Sequence, residues 1–562
     1  MPGYFHSVRL DESKCEGCTN CIKSCPTEAI RVRDGKAQII EQRCIDCGEC
    51  IRNCPNQAKV AVTDDLEDLE RFQYTIALPA PAFYGQFDEG VFPGDVFTAL
   101  IEMGFDGVFE VAVGAEAVTL ALRDVIQSGE INRPLISSAC PAILRLIQIR
   151  FPDLLQHVVP LETPMEIAAR LAKEEICAKM GLEESSVGAF FLSPCPAKVT
   201  AVKEPLGSRR SYVDGVIGIS ALYGEVCKRI KRGEQAFQRA TPLGIQWGYA
   251  GGENRAVGLG SLMAVDGIHS AISILDGIQK SELNGVQYVE CQACVGGCMG
   301  GALTIQNPFV ARARIETMLQ QIQASGVRDL SIEDETVADL LRQGFFDQTE
   351  PLCPRPAMRL DDDVAKAIAK MTRLEELVEE LPGFDCGSCG SPTCRALAED
   401  IVQGLASRTD CFFKLREKVS LLAEQMVEIA QTLPPIMGAK GGLRVPGSIL
   451  LRHVVEELDL EVVTGEASLD SHMITGAYSS DLLSDVMANA DEGSVWVTIQ
   501  IHQNIVAVAV VAALNAVIIT GGRKPEATTV TRAQEQDVPI LTSNASSYDV
   551  AGRLYSMLSR RQ

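Results

Sequence analysis

Positive charge is in short supply: 51 Lys and Arg stand against 74 Asp and Glu, a formal net charge of −23. A phosphate backbone needs a face on which Lys and Arg prevail, so nucleic acid is excluded as the expected partner. The N-terminus, MPGYFHSVRL, lacks the apolar run of a signal peptide, and the expected location is cytoplasmic. The longest apolar run, IVAVAVVAALNAVIIT (505–520), carries Asn515 and stops at Gly521-Gly522. It reads as a buried strand and helix, and no membrane association is expected. Histidine is scarce as well, with six in all. His453, His472 and His502 have no further metal-like ligands near them in sequence and read as ordinary polar residues.

Cysteine, by contrast, is abundant: there are 20 in 562 residues. In a reducing compartment these point to metal ligation and away from disulfides. The chain is long enough for three or four domains, and its 46% hydrophobic and 22% charged content is ordinary for globular protein.

CEGCTNCIKSCP (15–26) and CIDCGECIRNCP (44–55) share the spacing Cys-x2-Cys-x2-Cys-x3-Cys-Pro, and all four cysteines recur at an offset of 29 residues. Three close thiolates wrap one corner of a cubane, while the fourth reaches the neighbouring cluster. One 4Fe-4S cluster is expected on Cys15, Cys18, Cys21 and Cys54, and a second on Cys44, Cys47, Cys50 and Cys25. Zinc also takes paired Cys-x2-Cys, but it does not need the third close cysteine or the Cys-Pro that follows. The segment 1–62 resembles a bacterial two-cluster ferredoxin domain, which implies passage of single electrons between a surface partner and a deeper site.

Residues 72–322 alternate strand-like runs (YTIALPAP, VGAFFLSP, VQYVECQAC) with helix-like ones (TPMEIAARLAKEEICAKM), the pattern of an α/β domain. Cys140 in SSACPA, Cys195 in LSPCPAK, and Cys294 with Cys298 in ECQACVGGCMGG lie after strand-like runs or in glycine-rich turns. Singly, each reads as a small buried hydrophobe. Together they offer four thiolates from three loops, with Gly296, Gly297, Gly300 and Gly301 allowing close backbone approach to a bulky cluster.

These loops are similar to the three signature loops of FeFe hydrogenases: Thr-Ser-Cys-Cys-Pro, Met-Pro-Cys-x-x-Lys, and Glu-x-Met-x-Cys-x2-Gly-Cys-x2-Gly. The resemblance implies a 4Fe-4S cluster on Cys140, Cys195, Cys294 and Cys298. It further implies that Cys298 bridges to a diiron subcluster with carbon monoxide, cyanide and a dithiolate amine, and that Lys198 bonds a cyanide. Pro81 and Ala82 match a pair that touches the cluster. Departures are equally specific. Ala139 replaces the thiol that hands protons to the bridgehead amine, Ser193 and Gln292 replace two methionines, and Met165 stands where many members have glutamine. The alanine also marks the sensory subgroups of the family. Glu110, Glu290 and Cys291 are candidates for another proton route.

After an acidic linker (323–370), residues 371–432 place Cys386, Cys389, Cys394 and Cys411 as Cys-x2-Cys-x4-Cys-x16-Cys, with a helix expected at about 393–404. This resembles the small four-cysteine iron–sulfur domain of several redox proteins, although four thiolates also suit zinc. Cys353 stands alone between prolines, and Cys177 and Cys227 read as buried core. Residues 441–562 contain no cysteine. Their strand-like VWVTIQI and NIVAVAVV, and the Gly521-Gly522-Arg523 corner, resemble a DRTGG domain, a small α/β module found beside regulatory domains. Ligand binding there and homodimerisation through its surface both remain open.

The expected fold class is thus multidomain α/β, with ferredoxin-like, hydrogenase, small helical iron–sulfur and DRTGG-like parts. The expected function is a sensory or low-turnover hydrogenase acting on H2 and protons. It would exchange electrons with a redox partner such as ferredoxin or another hydrogenase subunit and signal to a regulatory protein. The alternatives are a working ferredoxin-linked hydrogenase with another proton path, and a 4Fe-4S electron carrier that lacks the diiron unit.

Overall fold

Antiparallel pairing of the segments that flank the cysteine repeat closes the N-terminal domain. β1 (Val8–Leu10) opens it, and β2 (Ile30–Arg33) and β3 (Lys36–Ile39) form a hairpin. Asp34 and Gly35 between them both have positive φ, as the tight two-residue hairpin turn demands. β4 (Lys59–Ala61) returns to pair with β1, Leu10 opposite Lys59. The computed structural model describes residues 4–129, 132–232, 239–324, 334–432 and 448–559. Parts of the expected linker (325–333) and of the last domain (441–447 and 560–562) lie outside the described residues. The chain forms two units, 1–406 and 407–562.

The central domain holds two parallel sheets. Its strands are β5 (Tyr74–Pro79), β6 (Gly107–Val108), β7 (Leu135–Ile136), β8 (Val187–Ser193), β9 (Gly215–Gly218), β10 (Leu262–Asp266) and β11 (Tyr288–Gln292). They are ordered β6-β5-β8-β9 and β10-β11-β7. Every residue of β8 is buried, which is why VGAFFLS reads as a continuous apolar run: a parallel strand covered on both faces has no solvent side to alternate with. Cys140, Cys195 and Cys294 follow β7, β8 and β11, so all three loops open at carboxyl ends of parallel strands, where α/β folds place ligands.

Part of the expected linker is packed instead. Val337, Phe345 and Phe346 are buried in one cluster with Leu135, Leu161 and Trp247, and Glu162 N–H donates to Phe346 O at 2.7 Å. The isolated aromatic pair in a polar stretch finds its apolar face on the central domain. The loop carrying Cys386, Cys389 and Cys394 seats on the N-terminal domain: Val32 N–H donates to Gly390 O at 2.8 Å and Arg33 to Cys389 O at 3.0 Å. Arg31 and Arg33 both reach the buried Asp400 carboxylate, at 2.7 and 2.6 Å. Asp400 belongs to the helix Cys394–Val402.

In the second unit, β12 (Ile449–Leu450) and β14 (Met473–Ile474) pair alone, on either side in sequence of β13 (Glu461–Val462). β15 (Gly476–Ser479), β16 (Ser494–Thr498), β17 (Ala516–Ile519) and β18 (Ile540–Thr542) complete a five-stranded sheet ordered β13-β18-β17-β16-β15, parallel except for β13. NIVAVAVV, expected as a strand, is the helix Asn504–Val511. Its residues 505–509 are all buried, so the helical period never shows in the apolar pattern. Cys227 is exposed and Cys177 only half-buried, against the expectation that both lie in the core.

Candidate metal centre

All 20 cysteines are free of disulfides. In the N-terminal domain they sort into the quartets that the repeat predicts. Cys15, Cys18, Cys21 and Cys54 line one small cavity, and Cys25, Cys44, Cys47 and Cys50 line another. The repeat also governs local bonding, because Ala29 N–H points at Cys25 Sγ and Ala58 N–H at Cys54 Sγ, each at 3.2 Å. Burial pushes the Cys21 thiol up to about 11 and Cys50 to about 12, and raises Cys44 and Cys47 well above the ordinary thiol value. Four such thiols cannot shed their protons together in a buried pocket unless a cation compensates, which is the chemistry of a metal-cluster site.

The central cavity is built the same way. Cys140 and Cys195 are the residues just before the helices Pro141–Arg150 and Pro196–Lys203, each opened by proline at its first position. Proline there fixes the backbone entering the helix, holding each cysteine in extended conformation at the helix mouth. The third loop passes through Gly296 and Gly297, both at φ 78°. A Cβ on Gly297 would sit 2.6 Å from Ala250 N and strike the Gln292 side chain, so only glycine fits. Cys140, Cys195, Cys294 and Cys298 thereby face one cavity of about 70 Å³. Burial pushes Cys298 up to about 12 and raises Cys195, with the nearby Lys198 charge opposing both.

Pro81, Ala82, Ala139, Met165, Lys198, Gln292 and Gly297 share this wall. Lys198 is buried and its Nζ donates to Ala139 O at 3.3 Å. Gln292 Oε1 is buried without a hydrogen-bond partner among the described residues, an orphaned acceptor beside the thiols. Two expected site residues stand back. Ser193 Oγ is used within its own turn, donating to Cys195 O at 2.8 Å, and is not among the wall residues. Gly296 N–H donates to Asp266 at 2.6 Å and supports the loop from behind.

Behind the Ala139 loop lies a polar cluster that sequence reasoning missed except for Glu290. Ser137 Oγ donates to Glu253 at 2.9 Å, Tyr288 OH bonds the same carboxyl, and Ala139 N–H donates to Ser137 Oγ at 3.2 Å. Gln292 Nε2 donates to Glu290 Oε1 at 3.0 Å. Burial, with each carboxyl close to other acids, raises both Glu253 and Glu290. Only the sequence separation hid the cluster. Glu110 is buried and pushed up to about 7, but its carboxylate is held by Tyr84 OH and the N–H groups of Arg239 and Ala240, away from the cavity wall. Cys291 is buried in an apolar cluster with Ile143 and Val289.

Residues 73–224 match the family model of the iron only hydrogenase large subunit, C-terminal domain. Over those residues the central domain is similar to the iron-only hydrogenases. Residues 7–55 match a 4Fe-4S dicluster domain, 381–413 an Fe-S cluster domain and 453–557 a DRTGG domain. The chain is similar to a periplasmic [Fe] hydrogenase large subunit from Nitratidesulfovibrio vulgaris, 29% identical over 35% of this chain and 51% of that protein, and to iron hydrogenase 1 from Clostridium pasteurianum, 26% identical over 52% and 55%. The chain spans about half the length of these curated relatives. A solved variant of [FeFe]-hydrogenase HydA1 from Chlamydomonas reinhardtii aligns with TM-score 0.42 and 16% identity over 52% of this chain and 98% of that one.

Of the C-terminal cysteines, Cys386 is exposed, Cys389 and Cys394 are half-buried in the first unit, and Cys411 is buried in the second. A hydrogen bond from Ser388 lowers the Cys386 thiol. In the DRTGG region, the amides of Gly521 and Gly522 donate to Ala545 O and Ser543 O, so these two donors are already used within the fold. No described helix is long and apolar enough to cross a membrane.

Proposed function

We propose that this chain is a low-turnover FeFe hydrogenase with a sensory role. Cys140, Cys195, Cys294 and Cys298 would hold a 4Fe-4S cluster, and Cys298 would bridge it to a diiron subcluster in the space beside Lys198. The bound diiron unit supplies the site at which H2 is cleaved or formed. Lys198 holds an ammonium against the cavity, where it compensates anionic ligands. Pro81, Ala82 and Met165 exclude water, and Gln292 offers an unpaired acceptor where an apolar side chain is usual. Ala139 offers no proton. Because a positioned acid or base contributes roughly 10²–10⁴ in rate, its loss converts an efficient site into a slow one.

The observation that carries this reading is the convergence of four thiols from three loops on one cavity whose wall at position 139 is a methyl group. The C-terminal cluster and DRTGG region would pass the redox state to a regulatory partner. Infrared spectroscopy after maturation with a synthetic diiron precursor tests it. Carbonyl and cyanide bands with slow H2 turnover are expected; absence of the bands leaves a 4Fe-4S electron carrier.

A second reading, a working hydrogenase with another proton path, is favoured by the Glu290 and Glu253 cluster, which reaches the cavity through Gln292 and the Ala139 backbone. A fast rate in the same assay would select it.

A further inference from the structure

The two halves of the N-terminal repeat are equivalent in their cysteines but not in charge. Cys25-Pro-Thr-Glu-Ala-Ile30 corresponds to Cys54-Pro-Asn-Gln-Ala-Lys59 at the same offset of 29 residues. Ile30 lines the cavity of the Cys25, Cys44, Cys47 and Cys50 quartet, and Lys59 the cavity of the Cys15, Cys18, Cys21 and Cys54 quartet. Lys59 is 2% exposed, and its Nζ is buried with no hydrogen-bond partner among the described residues. A lysine is almost never buried unpaired unless something anionic faces it.

The opposite asymmetry occurs at Gly17 and Asp46, which also correspond. Gly17 lines the first quartet's cavity and Asp46 the second's. The Asp46 carboxylate lies 3.8 Å from Cys44 Sγ and is held by His6 Nδ1 at 2.8 Å and Val8 N–H at 3.0 Å. At these positions the first pocket has a buried cation where the second has isoleucine, and the second a buried acid where the first has glycine; Glu16 of the first pocket is exposed, and the Lys59 charge also reaches Cys50 of the second quartet. Adding an electron adds negative charge, so the pocket with the cation favours reduction and the pocket with the carboxylate opposes it.

We propose that Lys59 makes the two N-terminal sites unequal electron acceptors, by holding an unpaired ammonium against the Cys15, Cys18, Cys21 and Cys54 quartet, which takes the electron first. The Cys44–Cys50 loop abuts the central domain: a Cβ on Gly48 would lie 2.6 Å from Ala302 Cβ and 3.1 Å from Pro196. Electrons arriving from the centre therefore meet the lower-potential site first and move downhill. One electron leaves the site on Cys25, Cys44, Cys47 and Cys50, oxidising it, and reduces the site on the other quartet, with no proton required. The inference rests on the two-cluster reading of residues 7–55 and not on hydrogen chemistry.

The test is a redox titration of the intact, iron-loaded chain followed by electron paramagnetic resonance, after iron and sulfide per chain have been measured. Lys59→Ile, which copies Ile30, and Lys59→Met should lower one N-terminal potential, shifting the equilibrium between the sites about tenfold, or about 59 mV for one electron. Lys59→Arg should restore the wild-type value. Ile30→Lys should raise the other potential. Unchanged potentials at full iron content overturn the proposal. So does loss of cluster in both uncharged variants, which would assign Lys59 to assembly. Wild-type protein without two N-terminal clusters would overturn the two-cluster reading itself, a distinct result.

Discussion

Ser137 joins Glu253 at 2.9 Å while its own oxygen accepts the Ala139 amide, so a buried carboxyl stands one hydroxyl behind Ala139. Tyr288 closes on the same carboxyl from β11. The cluster is raised toward neutrality by burial, which suits a group that takes and returns protons. If protons reach the cavity this way, Glu253→Gln should cut H2 turnover of the matured protein by roughly 10²-fold or more. Its carbonyl and cyanide bands should be unchanged. An equal rate would exclude the route.

Ala139→Cys should act in the opposite direction. The added thiol would sit on the cavity wall beside Cys140 and Lys198. Turnover should rise by roughly 10²–10⁴, the ordinary contribution of a positioned acid–base group. A rate that does not move would place the barrier elsewhere, with Gln292 the next residue to change.

Glu166 gives a prediction on stability. Burial pushes it up to about 7 from 4.5, although Ser211 Oγ at 2.6 Å and Tyr212 N–H at 2.7 Å partly offset this. A carboxyl raised in the folded state stabilises fully below its unfolded value, and that contribution is lost as pH rises from about 4.5 through about 7. Glu166→Gln removes the titration. The wild-type Tm should therefore fall more between pH 5 and 8 than that of the variant. Parallel pH profiles would show that Glu166 keeps an ordinary value.

What could be read from the chain alone follows from how local each signal is. The N-terminal quartets were legible because three of four ligands fall within seven residues and the whole pattern repeats. Cys140 and Cys195 were legible because Cys-Pro marks a helix mouth. Glu253 was not, because its partners Ser137 and Tyr288 lie 116 and 35 residues away. Lys59 sits in plain view five residues after Cys54, yet its oddity emerges only when it is set against Ile30 and found buried. Ser193, a hydroxyl two residues before a Cys-Pro turn, bonds that turn, a use its place in the loop did not suggest.

Single thiol removals test whether each quartet is one site. Cys294 lies in the third central loop, and the Arg52 guanidinium of the N-terminal domain both bonds it and reaches Gly300 O. Cys294→Ser should lose one cluster's worth of iron and leave the N-terminal resonance signals intact, because those quartets draw on no central cysteine. Cys50→Ser should do the reverse, keeping any carbonyl and cyanide bands of the matured centre while one N-terminal signal disappears. A serine oxygen is a poorer ligand for iron than a thiolate, so partial retention would appear as a labile cluster removed first by a chelator. Full iron in Cys294→Ser would mean that Cys140, Cys195 and Cys298 hold no cluster in common with it, and the hydrogenase reading would fall.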